Sequence, residues 1–435
     1  MDKKTGPTEN SPCSADWREL MYVITRGIGH QHSGRTCGQD TVFSDEDWTG
    51  FVMESRLDCI VVGAGIQGSA AAYYLAANGL QTLLIEQFPL PHSRGSSHGP
   101  SRITRKAYAD FDQLTYMMND AYKLWTELEN NSGVTLFKQA GMLTVGKSQN
   151  PSIEGSVRYM KKYEMPYEVL AKEDNRKRYP MLNFPPNFTF MIDKDAGVLH
   201  ADKALLAFQT LFKKHGGEIK DGEKVETVSP GDICSIQTSK GEYRCRHLVL
   251  TTGPWSKPFM STLHVTLPLR VIKVIVLYWP EKNKGEYSLK RFPTFYHENA
   301  IGSFSVFGTG SYEYEGMVKL CLHEGPEVDP DTRDFSDQSL VINLMSSYVA
   351  EHFPGLIPRP SIVESCMYTI SPDRLCVLDR HPLWRNIIIG AGFSGHGFKL
   401  SPVIGKMISE MVMNKPVSHS LEPFRVNRFQ KSSRL

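Results

Sequence analysis

The sequence has no run of 18 apolar residues, no secretory apolar core near its N-terminus, no two cysteines at CxxC spacing and no HExxH. The first two absences argue against a membrane span and a signal peptide. The other two leave a zinc site without sequence support, and no metal is expected. An excess of charge is missing too: 49 Lys and Arg face 47 Asp and Glu, a formal +2, with no long basic block. So even a balance offers no broad footprint for a phosphate backbone, and nucleic acid is not an expected partner. The eight cysteines, Cys13, Cys37, Cys59, Cys234, Cys245, Cys321, Cys366 and Cys376, are scattered along the chain. They read as reduced intracellular thiols and not as a disulfide framework.

What is present is ordinary globular composition, 40% hydrophobic and 10% aromatic, in 435 residues. A chain this long buries roughly three quarters of its unfolded surface and is expected to form two domains, or one cofactor domain with an inserted partner. Residues 1–52 are polar, rich in Gly, Ser, Thr and Asp, and lack periodicity, which predicts a poorly ordered extension. Asp2, Glu9 and Asp16 weigh against a mitochondrial transit peptide, and the strong folding signal a few residues after Met53 makes Met53 a candidate alternative start of the functional chain.

The folding signal then becomes strong. Asp58-Cys-Ile-Val-Val-Gly63 predicts a buried strand, Gly68 to Asn78 a small-residue helix stopped by Gly79, and Thr82-Leu-Leu-Ile-Glu86 a second strand. Strand, glycine turn, helix and strand in about 30 residues open a right-handed βαβ unit. In Gly63-x-Gly65-x-x-Gly68 the first glycine permits the tight turn, the second lets backbone approach a pyrophosphate, and the third lets helix and strand pack closely. Glu86, 23 residues after Gly63, can accept both ribose hydroxyls, which disfavours a 2′-phosphate. Strands are also expected at His247–Thr252 and Asn386–Gly390, the latter entering a loop with Gly392, Gly395 and Gly397. A second glycine-lined approach so far along the chain suits a long, two-lobed cofactor such as FAD. The expected fold is an α/β FAD-binding Rossmann-like domain, interleaved with an α+β substrate domain containing an antiparallel sheet. Its expected division assigns 57–135, 196–258 and 376–429 to the FAD domain, 136–195 and 259–375 to the substrate domain, and 430–435 to a tail.

Several motifs together carry a family resemblance: Val61-Val-Gly-Ala-Gly-Ile-Gln-Gly68, Pro91-His-Ser-Arg-Gly-Ser-Ser-His-Gly99, Ser101-Arg-Ile-Thr-Arg105, Gly316-Met-Val-Lys319, Glu364-Ser-Cys-Met-Tyr-Thr369 and Gly392-Phe-Ser-Gly-His-Gly-Phe-Lys399. In family order from about residue 57 to 429, they make the chain resemble the monomeric sarcosine oxidase family of FAD amine oxidases. The resemblance implies FAD attached covalently through Cys366, with Gly95, Ser96, Ser97, His98, Arg102, Gly395, Gly397 and Lys399 around the cofactor. Read alone, Cys366 is a buried apolar thiol, and Arg102 and Arg105 are a solvated pair sharing a helix face if that segment is helical. By resemblance Arg102 lies against the flavin, while Arg105 and Lys399 hold a substrate carboxylate through charge-assisted hydrogen bonds.

Lys319 reads by pattern as a surface lysine on a strand, and by resemblance as the cation that activates oxygen. His323 and Tyr368 are implied at the amine end of the pocket, where groups that favour an unprotonated amine are useful. Phe307, in place of a pocket tyrosine, and Ile370-Ser371 depart from the family pattern and bear on substrate preference. The implied activity is oxidation of a secondary α-amino acid, such as L-pipecolate, sarcosine or L-proline. A hydride passes to flavin, and O₂ is reduced to H₂O₂. The alternatives are a dehydrogenase passing electrons to a protein acceptor and a non-catalytic amino-acid-binding flavoprotein. The resemblance also implies a monomer. Ser433-Arg434-Leu435 is close to the Ser-Lys-Leu address read by the peroxisomal import receptor, so the peroxisome is the expected compartment.

Overall fold

The apolar run at Leu57–Val62 becomes an inner strand of an eight-stranded sheet in the computed structural model, which describes residues 57–106 and 108–429. The extension 1–52, Met53 and the tail 430–435 lie outside the described residues. Leu57–Val62 pairs in parallel with Thr82–Ile85 on one side and Glu242–Leu250 on the other. Glu218–Lys220 and Ile387–Ala391 extend the parallel core at its two ends. Val61, Leu84, Val249 and Ile388 pack on one face, and Ile60, Leu83, Leu248 and Ile389 on the other. A sheet buried on both faces needs continuous apolar runs, which is why these strands lack polar alternation. Each fully buried side chain of this kind contributes about 1.5–3 kcal/mol.

The helices Ile66–Ala77 and Gly397–Val412 lie in the same layer over this sheet. Their contact is close because Gly405 has no side chain: a Cβ there would stand 2.7 Å from the carbonyl carbon of Ala70. Gly405→Val is therefore expected to overpack this contact and cost about 1–3 kcal/mol, read as a lower Tm with the sheet pairings retained. No described helix is long and apolar enough to cross a membrane.

A second eight-stranded sheet runs in the order Ile362–Ile370, Arg270–Pro280, Met317–Leu322, Phe304–Thr309, Thr294–Ile301, Met142–Lys147, Phe188–Asp193 and Tyr167–Val169. All its pairings are antiparallel except Thr294–Ile301 with Met142–Lys147. Arg270–Pro280 is an inner strand of this sheet.

The helix considered for Arg102 and Arg105 is not formed. Ser101–Thr104 is a strand, paired with Gly197–His200 in a three-stranded sheet that Phe137–Gln139 completes. A Cβ on Gly197 would come 2.2 Å from Lys138 O, so the pairing with Phe137–Gln139 depends on glycine at that position. Arg102 points from the strand and Arg105 follows its end, so the two arginines serve different neighbourhoods.

Candidate active site

The glycine turn after Leu57–Val62 is built by exclusion of side chains. Gly63 has φ +97°, where L-residues are strained, and a Cβ on it would meet Thr251 O at 2.5 Å. A Cβ on Gly68 would stand 1.9 Å from Gly63 O, so helix and turn touch backbone to backbone. Gly65 caps the helix without a side-chain bond, no acid occupies the first turn, and the Ile66 amide donates to Ser97 Oγ at 2.9 Å. Glu86 is buried at the end of its strand and accepts the Ala64 amide at 2.9 Å and the Phe88 amide at 3.1 Å. Gln67 joins the two glycine loops: its Nε2 donates to Gly397 O at 2.7 Å, while its Oε1 is buried without a partner. A second helix, Gly397–Val412, also begins here with no acid in its first turn. Two helix N-termini, bare backbone and an orphaned amide oxygen fit the pyrophosphate and ring of a dinucleotide. The residues present therefore fit FAD.

Around Cys366 the loop 92–99 is tied to the Ile362–Ile370 strand. His98 spans the two, with Nδ1 2.9 Å from Gly95 O and Nε2 2.9 Å from Ser365 O. Burial, then Arg102, holds this histidine down to about 4, while the contacts with the Gly95 and Ser365 carbonyls oppose the shift. Cys366 is 8% exposed, with Sγ 3.7 Å from Ser96 O. Arg102 donates to the carbonyls of Ser96 at 3.0 Å and His98 at 2.6 Å, and its guanidinium lies 5.4 Å from the Phe398 ring centre.

Beside this junction aromatic side chains gather around two cations. Arg105 is sandwiched between Tyr296 at 4.4 Å and Tyr108 at 5.3 Å, and the Lys399 ammonium lies 5.5 Å from the same Tyr108 ring. Burial first, then Arg105, lowers Lys399 to about 7. His323 packs edge-on against Tyr368, Phe307 and Tyr296. Its Nδ1 has no partner, and burial pushes it down to about 3. A Cβ on Gly395 would press on His323 at 3.1 Å and Tyr368 at 3.2 Å, so glycine there lets the loop pass close to both rings. His396, at the start of the Lys399 helix, is also held neutral by burial and the surrounding cations. At neutral pH the His323 and His396 rings are neutral, with Arg105 and Lys399 among the cations beside them. Such an arrangement can receive one anion.

Lys319 is no surface lysine. It is 9% exposed, and strand alternation puts it on the same face as Cys321 and His323. Its ammonium is 2.9 Å from Glu313 Oε1 and 3.3 Å from Ser101 Oγ.

Residues of the site that the sequence reading had not singled out are Tyr108, Tyr296, Glu298, Glu313 and His396. For Tyr296 and Glu298 a signal existed: they are two apart in a strand, on the face opposite His297, which instead bonds Tyr348 at 2.9 Å. Glu298 Oε2 accepts Ser305 Oγ at 3.3 Å, and burial raises this acid while Arg105 opposes the shift. Among the described residues no group of three or more His, Cys, Asp or Glu is arranged to hold a metal.

Backbone prepared for a dinucleotide, next to a cluster of cations and aromatic rings, describes a flavin-dependent oxidoreductase, and the chain belongs to the family of FAD dependent oxidoreductases, which residues 58–411 match. FAD is its cofactor. Within that family it stands with the sarcosine oxidases. It is 42% identical to peroxisomal sarcosine oxidase of Mus musculus, over 87% of this chain and 97% of the relative. To the Homo sapiens protein of the same name it is 41% identical, over 86% and 96%. Monomeric sarcosine oxidase of Arthrobacter sp. (strain TE1826) shares 31%, over 85% and 96%. Among solved structures, NikD, an unusual amino acid oxidase essential for nikkomycin biosynthesis, superposes with a TM-score of 0.75 at 21% identity, over 85% of this chain and 97% of NikD. L-proline dehydrogenase from P. horikoshii gives 0.73 at 21%, over 86% and 98%. At these identities the two structures speak for the fold.

Proposed function

We propose that the protein oxidises secondary α-amino acids, L-pipecolate, sarcosine and L-proline among them, at a carbon beside the amine, with O₂ as the final acceptor. The observation that carries this reading is the gathering of Arg105 and Lys399 on Tyr108 beside the neutral pair His323 and Tyr368. The substrate carboxylate would take charge-assisted hydrogen bonds from Arg105 and Lys399, which also fix which C–H faces the cofactor. A neutral wall at His323 and Tyr368 favours the unprotonated amine, the form able to release a hydride. FAD, when bound, supplies the acceptor for that hydride and returns two electrons to O₂, giving H₂O₂ and an imine. Lys319 would stabilise negative charge as it develops on oxygen.

The finer assignments belong to the same proposal. Gly63, Gly65, Gly68, Glu86, Ser96, Ser97, His98, Arg102, Gly395 and Gly397 would hold FAD, and Cys366 would carry it covalently. The FAD domain would comprise 57–135, 196–258 and 376–429, with the substrate domain between its pieces. The protein would act as a monomer. Two mammalian relatives are named peroxisomal, which supports the peroxisome as its compartment. The import receptor would then be a partner.

An anaerobic bleaching panel tests the activity. Secondary α-amino acids are expected to bleach the flavin, the same amines lacking the carboxylate to leave it yellow, and admitted air to restore the colour with H₂O₂ released. A flavin that bleaches but does not recover in air would favour the protein-acceptor dehydrogenase. A flavin that no amine bleaches would favour the non-catalytic binding protein.

A further inference from the structure

Lys319 is half of a buried ion pair. The Glu313 side chain is 3% exposed, and its two oxygens serve three donors from three strands. Oε1 accepts from Lys319 Nζ at 2.9 Å and from Ser101 Oγ; Oε2 accepts the Tyr278 hydroxyl at 2.5 Å. The Tyr278 ring centre lies 5.5 Å from the ammonium. Burying a carboxylate is costly unless it is paired and hydrogen-bonded, and here both conditions are met. Burial alone would push Glu313 up, but Lys319, Ser101 and Tyr278 together outweigh it, so the acid stays ionised at neutral pH.

We infer that Glu313 is a positioning residue for oxygen reduction: it keeps the Lys319 ammonium charged and directed across the face of the sheet that carries Cys321 and His323. This rests on the proposed role of Lys319. An ammonium has three N–H donors. Glu313 and Ser101 take two of them, which fixes the direction of the third. Without its counter-charge a buried lysine sheds its proton in preference to remaining a lone charge, and a neutral amine cannot stabilise an anion.

The pair does not cancel its own effect. An anion on the far side of Nζ lies roughly 3 Å from the ammonium but roughly 6 Å from the carboxylate, so roughly half of the attraction survives. In the step concerned, O₂ receives one electron from the reduced cofactor to become superoxide. A second electron and two protons complete H₂O₂.

The same hydrogen bonds also stitch the small sheet to the large one, so the test separates charge control from stitching. Flavin-loaded enzyme is reduced with dithionite, which bypasses the amine substrate, and reoxidation on mixing with air is followed by absorbance. Glu313→Gln is expected to reoxidise about tenfold more slowly and to bind sulfite, an anion that titrates oxidised flavin, about tenfold more weakly. Glu313→Asp is expected to restore both. In a Lys319→Met background, Glu313→Gln is expected to add nothing; that double variant buries no unpaired charge and guards against misfolding of the single one. Wild-type reoxidation in Glu313→Gln overturns the inference, as does a double variant markedly slower than Lys319→Met alone. Wild-type reoxidation in Lys319→Met would remove the role of the lysine itself, and that of Glu313 with it, whichever substrates bleach the flavin.

Discussion

Cys366→Ser is expected to lose all its covalent flavin: acid precipitation of the variant gives a colourless pellet and a yellow supernatant, while the parent pellet stays yellow. The thiolate is the nucleophile of cysteine chemistry, and a serine hydroxyl of similar size offers no comparable anion near neutral pH. The expectation also draws on the surroundings of Cys366. It sits on a strand that His98 fastens to the loop 92–99, with Sγ 3.7 Å from Ser96 O and the half-buried Arg102 braced on the same loop. The nucleophile is thus held in a fixed frame against the loop expected to line the flavin. Because FAD also rests on the two glycine-rich turns, the variant should still bind it reversibly. Flavin fluorescence on a denaturing gel gives the result directly. A colourless pellet from flavin-loaded parent would reject the covalent link.

The parts of this site that were legible in the sequence are those whose requirement is local. Gly63 must take a positive φ and Gly68 must allow backbone contact, and both needs are written within six residues. The continuous apolar runs at Leu57–Val62, Thr82–Ile85 and Ile387–Ala391 likewise announce strands buried on both faces. What could not be read depends on partners far along the chain. Ser101–Thr104 is a strand because it pairs with Gly197–His200 about a hundred residues later, so helical spacing misled the reading of Arg102 and Arg105. Glu313, in Ser-Tyr-Glu-Tyr-Glu-Gly, looks like a solvated loop acid until strand pairing brings Tyr278 beside Lys319. The remaining described cysteines, Cys59, Cys234, Cys245, Cys321 and Cys376, are free, and burial pushes each thiol up, which keeps them inert.

Carboxylate binding should weaken as the pH rises above about 7, and Lys399 should be the cause. Burial, and to a smaller extent Arg105, lower its ammonium to about 7, so the free enzyme holds it charged below that pH and neutral above it. A carboxylate in the pocket favours the charged form, so binding takes up a proton above pH 7, and the Kd rises by up to about tenfold per pH unit. The other groups facing this site do not reproduce that slope. His323, at about 3, and His396, well below its ordinary value, stay neutral; Tyr108 and Tyr296 are raised by burial; Arg105 stays charged; and Glu298, though raised, is opposed by Arg105. A simple carboxylate without an amine is the clean probe, because the ionisation of an amino-acid substrate would act in the opposite direction. Titrated against flavin absorbance from pH 6 to 9, it should show the rise in the parent. Lys399→Met should retain flavin, give a Kd that is flat with pH and, at pH 6, bind about 10- to 100-fold more weakly, the loss of one charge-assisted hydrogen bond. Its KM for an amino-acid substrate should increase similarly. A parent Kd that stays flat across this range, or an unchanged KM in the variant, would take Lys399 out of the carboxylate site and leave Arg105 as its sole cation.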